Sequence, residues 1–156
     1  MADEGIRVVA RGVVRRSRDG GAVDGTGGAG EELLVTRDRD LDGDDPFYYL
    51  LGGGVEFGER SEDALRREFR EELGVSLADV AYRETYEEVF TFDGRREHEV
   101  WRVYEVEIAE DWPYKRDEFT CREPELDEKI VCEWKPRTAF TEGGETFHPK
   151  PLLSDR

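Results

Sequence analysis

Basic charge is scarce in this 156-residue chain: 23 Lys and Arg stand against 39 Asp and Glu, for a formal net charge of -16. A protein that grips nucleic acid through its phosphates needs the opposite balance, so a general nucleic-acid binder is excluded. Lysine is rarer still, at four residues against nineteen arginines. Two explanations fit such a surface: a salty interior whose ions screen the self-repulsion, or an acidic protein from an arginine-biased genome. No apolar run approaches the ~20 residues that cross a bilayer. The amino-terminal MADEGIRVVARG carries acids where a secretory leader carries Lys or Arg, and we expect a cytoplasmic protein with no membrane partner. Cys121 and Cys132 are the only thiols, without a Cys-x-x-Cys pair. That excludes a four-cysteine zinc site and a disulfide scaffold, and two inert thiols are expected in preference to a single bridge. His98 and His148 stand apart, outside any His-Glu-x-x-His frame, so a zinc protease is excluded.

What remains suits one compact domain spanning residues 1–156, with 37% hydrophobic and 11% aromatic residues for a single core. Alternation predicts strands over Ile6–Val14 and Glu31–Thr36. Between them the glycine-rich Arg15–Gly30 reads as a flexible loop. Its Gly25-x-Gly27-x-x-Gly30 precedes a strand-like run rather than a helix, so it is no dinucleotide fingerprint. Phe47–Leu51, Val80–Phe92, Glu97–Ile108 and Ile130–Trp134 read as further strands, with a hairpin at Asp93-Gly94. Ala109–Lys129 reads as an acidic loop, and 138–156 as a weakly structured tail with at most a short helix.

The strongest helix signal covers Glu62–Leu73. Ser61 is placed as N-cap, Glu62 and Asp63 complement the positive end of the dipole, and Gly74 is placed to end the helix left-handed. At ~100° per residue, Leu65, Phe69 and Leu73 form an apolar stripe, with Glu68, Glu71 and Glu72 on the stripe beside it. Residues three and four apart are neighbours, so three carboxylates share one patch. Two of them at ~6 Å repel by roughly 3 kcal/mol at an effective dielectric of ~20. A solvated acidic face is one reading. The other is a seat for a hard divalent cation such as Mg2+, which takes oxygen ligands and bridges to phosphate. Gly52-Gly53-Gly54, which allow tight turning and close approach of backbone to a ligand, favour the second. Glu59 lies at the mouth of the helix, and Arg67 stands four residues before Glu71, where an ion pair orients that carboxylate.

Residues 53–75, GGVEFGERSEDALRREFREELGV, resemble the Nudix box. Gly53, Glu59, Arg67, Glu68, Phe69, Glu71, Glu72, Gly74 and Val75 occupy every specified position. The resemblance covers 23 of 156 residues; beyond it lie the order of strands and Glu133-Trp134, which looks like the family's final core strand. It implies an α/β (α+β) fold, a mixed sheet sandwiched between helices, and hydrolysis of a nucleoside diphosphate linked to another moiety. It also implies that Glu68, Glu71 and Glu72 bind Mg2+ or Mn2+, with a backbone carbonyl of Gly52 or Gly53 as a further ligand. Glu59 would support the site and Arg67 would hold a glutamate in place. The general base varies within the family. Glu128 is the loop candidate here, with Glu125, Glu123 and Glu99 as competitors. Arg37 sits where related pyrophosphohydrolases place a ligand-binding arginine, and Phe47, Tyr48, Phe90, Phe92 and Trp101 either stack on a base or fill the core. Markers of ADP-ribose, dinucleoside polyphosphate and NADH hydrolases are absent downstream of the box. Elimination points to nucleoside triphosphates cut to a monophosphate and pyrophosphate. The alternatives are an ADP-ribose or other nucleotide-sugar or dinucleotide pyrophosphatase, and a non-catalytic nucleotide sensor, which would carry a degraded box. A homodimer is common in such families, and nothing in the sequence marks an interface.

Overall fold

The computed structural model describes residues 5–17, 30–39, 46–92, 94–123 and 128–148. Two mixed sheets carry the chain. The first runs β5 (Leu51–Gly54), β1 (Ile6–Val13), β7 (Arg95–Ile108), β6 (Leu77–Phe92). Here β1 is antiparallel to β5 and parallel to β7, and β6 and β7 form a long antiparallel hairpin. The second runs β10 (Thr146–His148), β4 (Pro46–Tyr49), β3 (Glu31–Arg39), β9 (Glu128–Pro136), β8 (Glu118–Glu123), with β2 (Arg15–Ser17) also paired to β3. The helix α1 covers Ser61–Leu73, and a short α2 covers Thr138–Thr141. Among the described residues α1 is the only helix longer than four residues, and none is long and apolar enough to cross a membrane.

Strand alternation divides the apolar residues between two cores. Ala10 and Val14, with Tyr104, Val106 and Ile108, face Leu65 and Phe69 of α1, where Leu34 and Trp134 of the second sheet join them. A side chain at Gly12 would begin 3.0 Å from the Phe69 ring, so the helix lies close upon β1. The opposite face of the first sheet, with Val9, Trp101 and Val103, meets Leu33, Val35, Tyr48 and Phe147 in a layer between the sheets.

Several expectations change. Cys121 and Cys132 are not free thiols but a disulfide, with Cα atoms 6.3 Å apart. The supposed loop before Lys129 contains β8, which places Cys121 beside Ile130, two residues from Cys132 on the neighbouring strand. That separation suits a bridge. The run Phe47–Leu51 is broken at Leu50 into strands of different sheets, and Gly52-Gly53-Gly54 is not a turn: it completes β5, paired with Val9, Ala10 and Arg11. The loop begins later than Arg15, since Arg15–Ser17 form β2, while 18–29 lie outside the described residues. The tail holds α2 and also β10, paired in parallel with β4. Ser61 does not cap α1. The cap position is Arg60, without a side-chain hydrogen bond, and the Ser61 hydroxyl pairs instead with the Tyr104 hydroxyl. Gly74 does end the helix with φ 71°. The hairpin between β6 and β7 turns between Phe92 and Arg95, with Gly94 at φ 73°; Asp93 lies outside the described residues.

Candidate active site

The centre of the site is one guanidinium. Arg67 donates Nε and Nη2 to the two oxygens of Glu59, both at 2.9 Å. Its Nη1 donates to Glu68 Oε1 at 2.9 Å and approaches Glu71 at 3.4 Å, and Nη2 also reaches the Gly54 carbonyl at 3.0 Å. The loop before α1, the helix and β5 are thus tied through a single side chain. Glu59 responds to this partner: the Arg67 bond, with a further bond from the Glu56 backbone N–H, draws its pKa down to about 2. Arg67 is correspondingly raised above the ordinary arginine range, Glu59 being the largest cause.

The acidic stripe divides by depth. Glu68 and Glu72 are buried, at 7% and 6% exposure, whereas Glu71 is exposed. Gly53 is what makes room for Glu68, because a Cβ there would begin 2.5 Å from the carboxyl carbon. Gly52 has φ 141°, and a side chain on it would strike the Ala10 carbonyl. Of the three glycine carbonyls, that of Gly52 accepts from Arg11 at 3.2 Å and that of Gly54 from Arg67. Among the described residues no three His, Cys, Asp or Glu side chains already form a closed metal cage. Glu68 turns toward Arg67, and Glu71 points outward. The donor set nevertheless suits a hard cation. It is made of oxygen, it carries more negative charge than Arg67 balances, and the glycine cradle brings backbone against the Glu68 carboxylate.

The other predicted residues lie apart from this cluster. Arg37 pairs with Glu133 at 2.9 Å and Glu118 at 3.6 Å across the second sheet. Glu99 is buried on the inter-sheet side of β7, accepting from the Trp101 indole N–H at 2.8 Å. Glu128 opens β9 opposite Glu123; both side chains, with Glu125 and the Phe92 side chain, lie outside the described residues. Tyr48 and Trp101 are core residues. Arg11 was not singled out from the sequence. Its guanidinium lies over the rings of Tyr49 and Trp101, at 5.4 and 5.1 Å, and donates to the carbonyls of Leu50 and Gly52. An arginine amid the alternating apolar residues of β1 was the signal to read.

This architecture and this site define a class. Residues 9–152 match the NUDIX domain, and the chain belongs to that family of hydrolases, whose members generally use a divalent metal. It is 48% identical over 60 residues to proteins named nucleoside triphosphatase NudI from Salmonella arizonae and Salmonella newport. The match takes in 35% of this chain and 42% of each relative, so the matched span is less than half the length of those curated proteins. Among solved structures, a MutT NUDIX hydrolase from Burkholderia pseudomallei shares the fold at TM-score 0.62 and 22% identity, over 96% of both chains. The ORF135 protein of E. coli does so at TM-score 0.58 and 20% identity, over 96% of this chain and 86% of its own.

Proposed function

We propose that this protein is a Mg2+- or Mn2+-dependent hydrolase of phosphoanhydride bonds that cuts nucleoside triphosphates to a monophosphate and pyrophosphate. The observation that carries the reading is Arg67 joining Glu59, Glu68 and the Gly54 carbonyl beside the Gly53 cradle. Similarity to proteins named nucleoside triphosphatase NudI supports a triphosphate as the substrate.

Glu68, Glu71 and Glu72 would hold the metal, with the Gly53 carbonyl as the backbone ligand. A divalent cation seated there neutralises phosphate charge and makes water more acidic. A chain with net charge -16 would thereby meet a polyanion through a local positive centre rather than through its overall field. Arg67 aims Glu68. Glu59, pinned by two bonds and held ionised, is a positioning residue: a carboxylate with a pKa of about 2 is a poor proton acceptor near neutral pH. Water adds to phosphorus, pyrophosphate leaves, and the proton passes to a base, for which Glu128 at the head of β9 is the candidate. Arg37 would meet ligand by exchanging its long contact with Glu118 while keeping Glu133.

A screen of nucleotides with Mg2+ and Mn2+ against wild type and Glu72→Gln tests this. The variant keeps the shape and removes one charge, and we expect a loss of kcat/KM on the order of a hundredfold, about 3 kcal/mol of barrier. Full activity in Glu72→Gln refutes the ligand set. Absence of hydrolysis on every nucleotide, in a folded protein that binds metal, replaces the enzyme with a sensor.

A further inference from the structure

We propose that Glu99 and Arg7 form a base-reading pair that selects a guanine-type Watson–Crick edge; the inference rests on the nucleotide substrate proposed above. Glu99 is 6% exposed, and burial of a carboxylate is costly unless hydrogen bonds compensate. One oxygen is accounted for by the Trp101 indole N–H at 2.8 Å. The other has Arg7 Nη1 at 3.5 Å, and that arginine side chain is 56% exposed. A structural ion pair closes to about 2.8 Å. At 3.5 Å the Arg7 contact is long, so Glu99 Oε2 retains capacity to accept a shorter hydrogen bond from the side on which Arg7 is exposed.

The pair stands beside the cleavage site. Arg7 lies opposite Glu99 across the parallel β1–β7 register. Its Nη2 lies 2.9 Å from the point where a Gly54 side chain would begin, while the adjacent Gly53 faces Glu68. Successive residues of a strand face opposite sides. The glycine strand therefore separates the phosphate-facing cluster from Arg7 and Glu99, and a nucleotide whose phosphates lie at Glu68 and Gly53 extends its base past Gly54 toward them.

An ionised carboxylate only accepts and a guanidinium only donates. The complementary edge presents one acceptor next to donors. Guanine offers O6 to Arg7, and N1–H with its 2-amino group to Glu99. Adenine would turn its unprotonated N1 toward the carboxylate, cytosine two acceptors, and uracil a second carbonyl beside its single N–H. Oxidation of guanine at C8 leaves this edge unchanged, so the pair does not separate the oxidised base from the normal one.

Calorimetric titration of the full chain with GMP, IMP, AMP and N1-methyl-GMP, without metal, reads the pair independently of turnover. We expect GMP to bind ten- to a hundredfold more tightly than AMP, on the order of one charge-assisted hydrogen bond. IMP, which lacks the 2-amino group, should fall between, and N1-methyl-GMP should be as weak as AMP. Glu99→Gln should erase the preference. Arg7→Gln, at an exposed position, should weaken GMP at least tenfold and keeps the proposal testable if the buried variant fails to fold. Equal binding of GMP and AMP, or of GMP and its N1-methyl derivative, overturns it. A guanine preference in a protein that hydrolyses no nucleotide upholds the pair and refutes the catalytic reading; hydrolysis with no base preference does the reverse.

Discussion

Replacing Arg67 with lysine keeps a positive charge and removes the planar fork that joins Glu59, Glu68 and the Gly54 carbonyl. An ammonium group on a flexible stem satisfies one of these partners well, not three. Charge-assisted hydrogen bonds contribute about 1.5–3 kcal/mol each when shielded. Arg67 and Glu59 side chains are 22% and 19% exposed, so we discount for solvent and expect about 2–3 kcal/mol of lost stability. At roughly 2–4 °C per kcal/mol for a domain of this size, Tm at pH 7 should fall by ~5–10 °C. The pH dependence identifies the source. The folded pKa of Glu59 is lowered from 4.5 to about 2, so its contribution is fully present above pH 4.5 and is lost as pH falls toward 2. The gap in Tm between wild type and Arg67→Lys should therefore be constant from pH 7 to about 5 and narrow steadily below it. Scanning calorimetry across that range measures it. A variant as stable as wild type at pH 7, or a gap that ignores acid, refutes the assignment of Arg67 as the electrostatic tie of the site.

Gly53→Ala should leave the fold intact, because the new Cβ meets the far end of the flexible Glu68 side chain, yet lower kcat/KM about a hundredfold by displacing that carboxylate. Gly52→Ala should instead unfold the protein at moderate temperature, since the clash is with Ala10 backbone at a φ of 141°; circular dichroism and activity together separate the two. Reducing the Cys121–Cys132 bridge, whose partners are 11 residues apart, should cost about 3 kcal/mol by the loop-entropy model, seen as a Tm lower by ~6–12 °C in a phosphine reductant. An unchanged Tm on full reduction would contradict the bridge.

Local signals carried the parts of the fold that depend on neighbours in sequence. The apolar stripe of α1 and the left-handed Gly74 were legible because a helix satisfies its hydrogen bonds within itself. The β6–β7 hairpin was legible because its partners flank one turn. Strand β8 was not: EFTCRE alternates, but with two apolar residues in an acidic stretch the pattern is too short to stand out, and it is a strand because β9 pairs with it and Phe119 and Cys121 find the α1 core. The three glycines of β5 are poor strand formers by propensity. They pair with β1 because that position needs a backbone without side chains between Ala10 and Glu68. Ser61 looked like a cap until a tertiary partner, Tyr104, took its hydroxyl. Glu59 and Arg67 could be placed near one another from spacing, but the bidentate geometry and the tie to Gly54 required coordinates.

The parallel ladder between β1 and β7 sets Ile6 against His98 and Val13 against Glu105. β1 is therefore an inner strand whose second neighbour is translated some ninety residues later. Once β5 has been made, β1 has a partner along one border and nothing along the other until β7 follows about forty residues later, so the nascent polypeptide must hold an unfinished sheet over that interval. Assembly of this layer is thus a late event, and slow translation of the region from residue 55 to 98 prolongs the interval in which that border is open to unintended pairing.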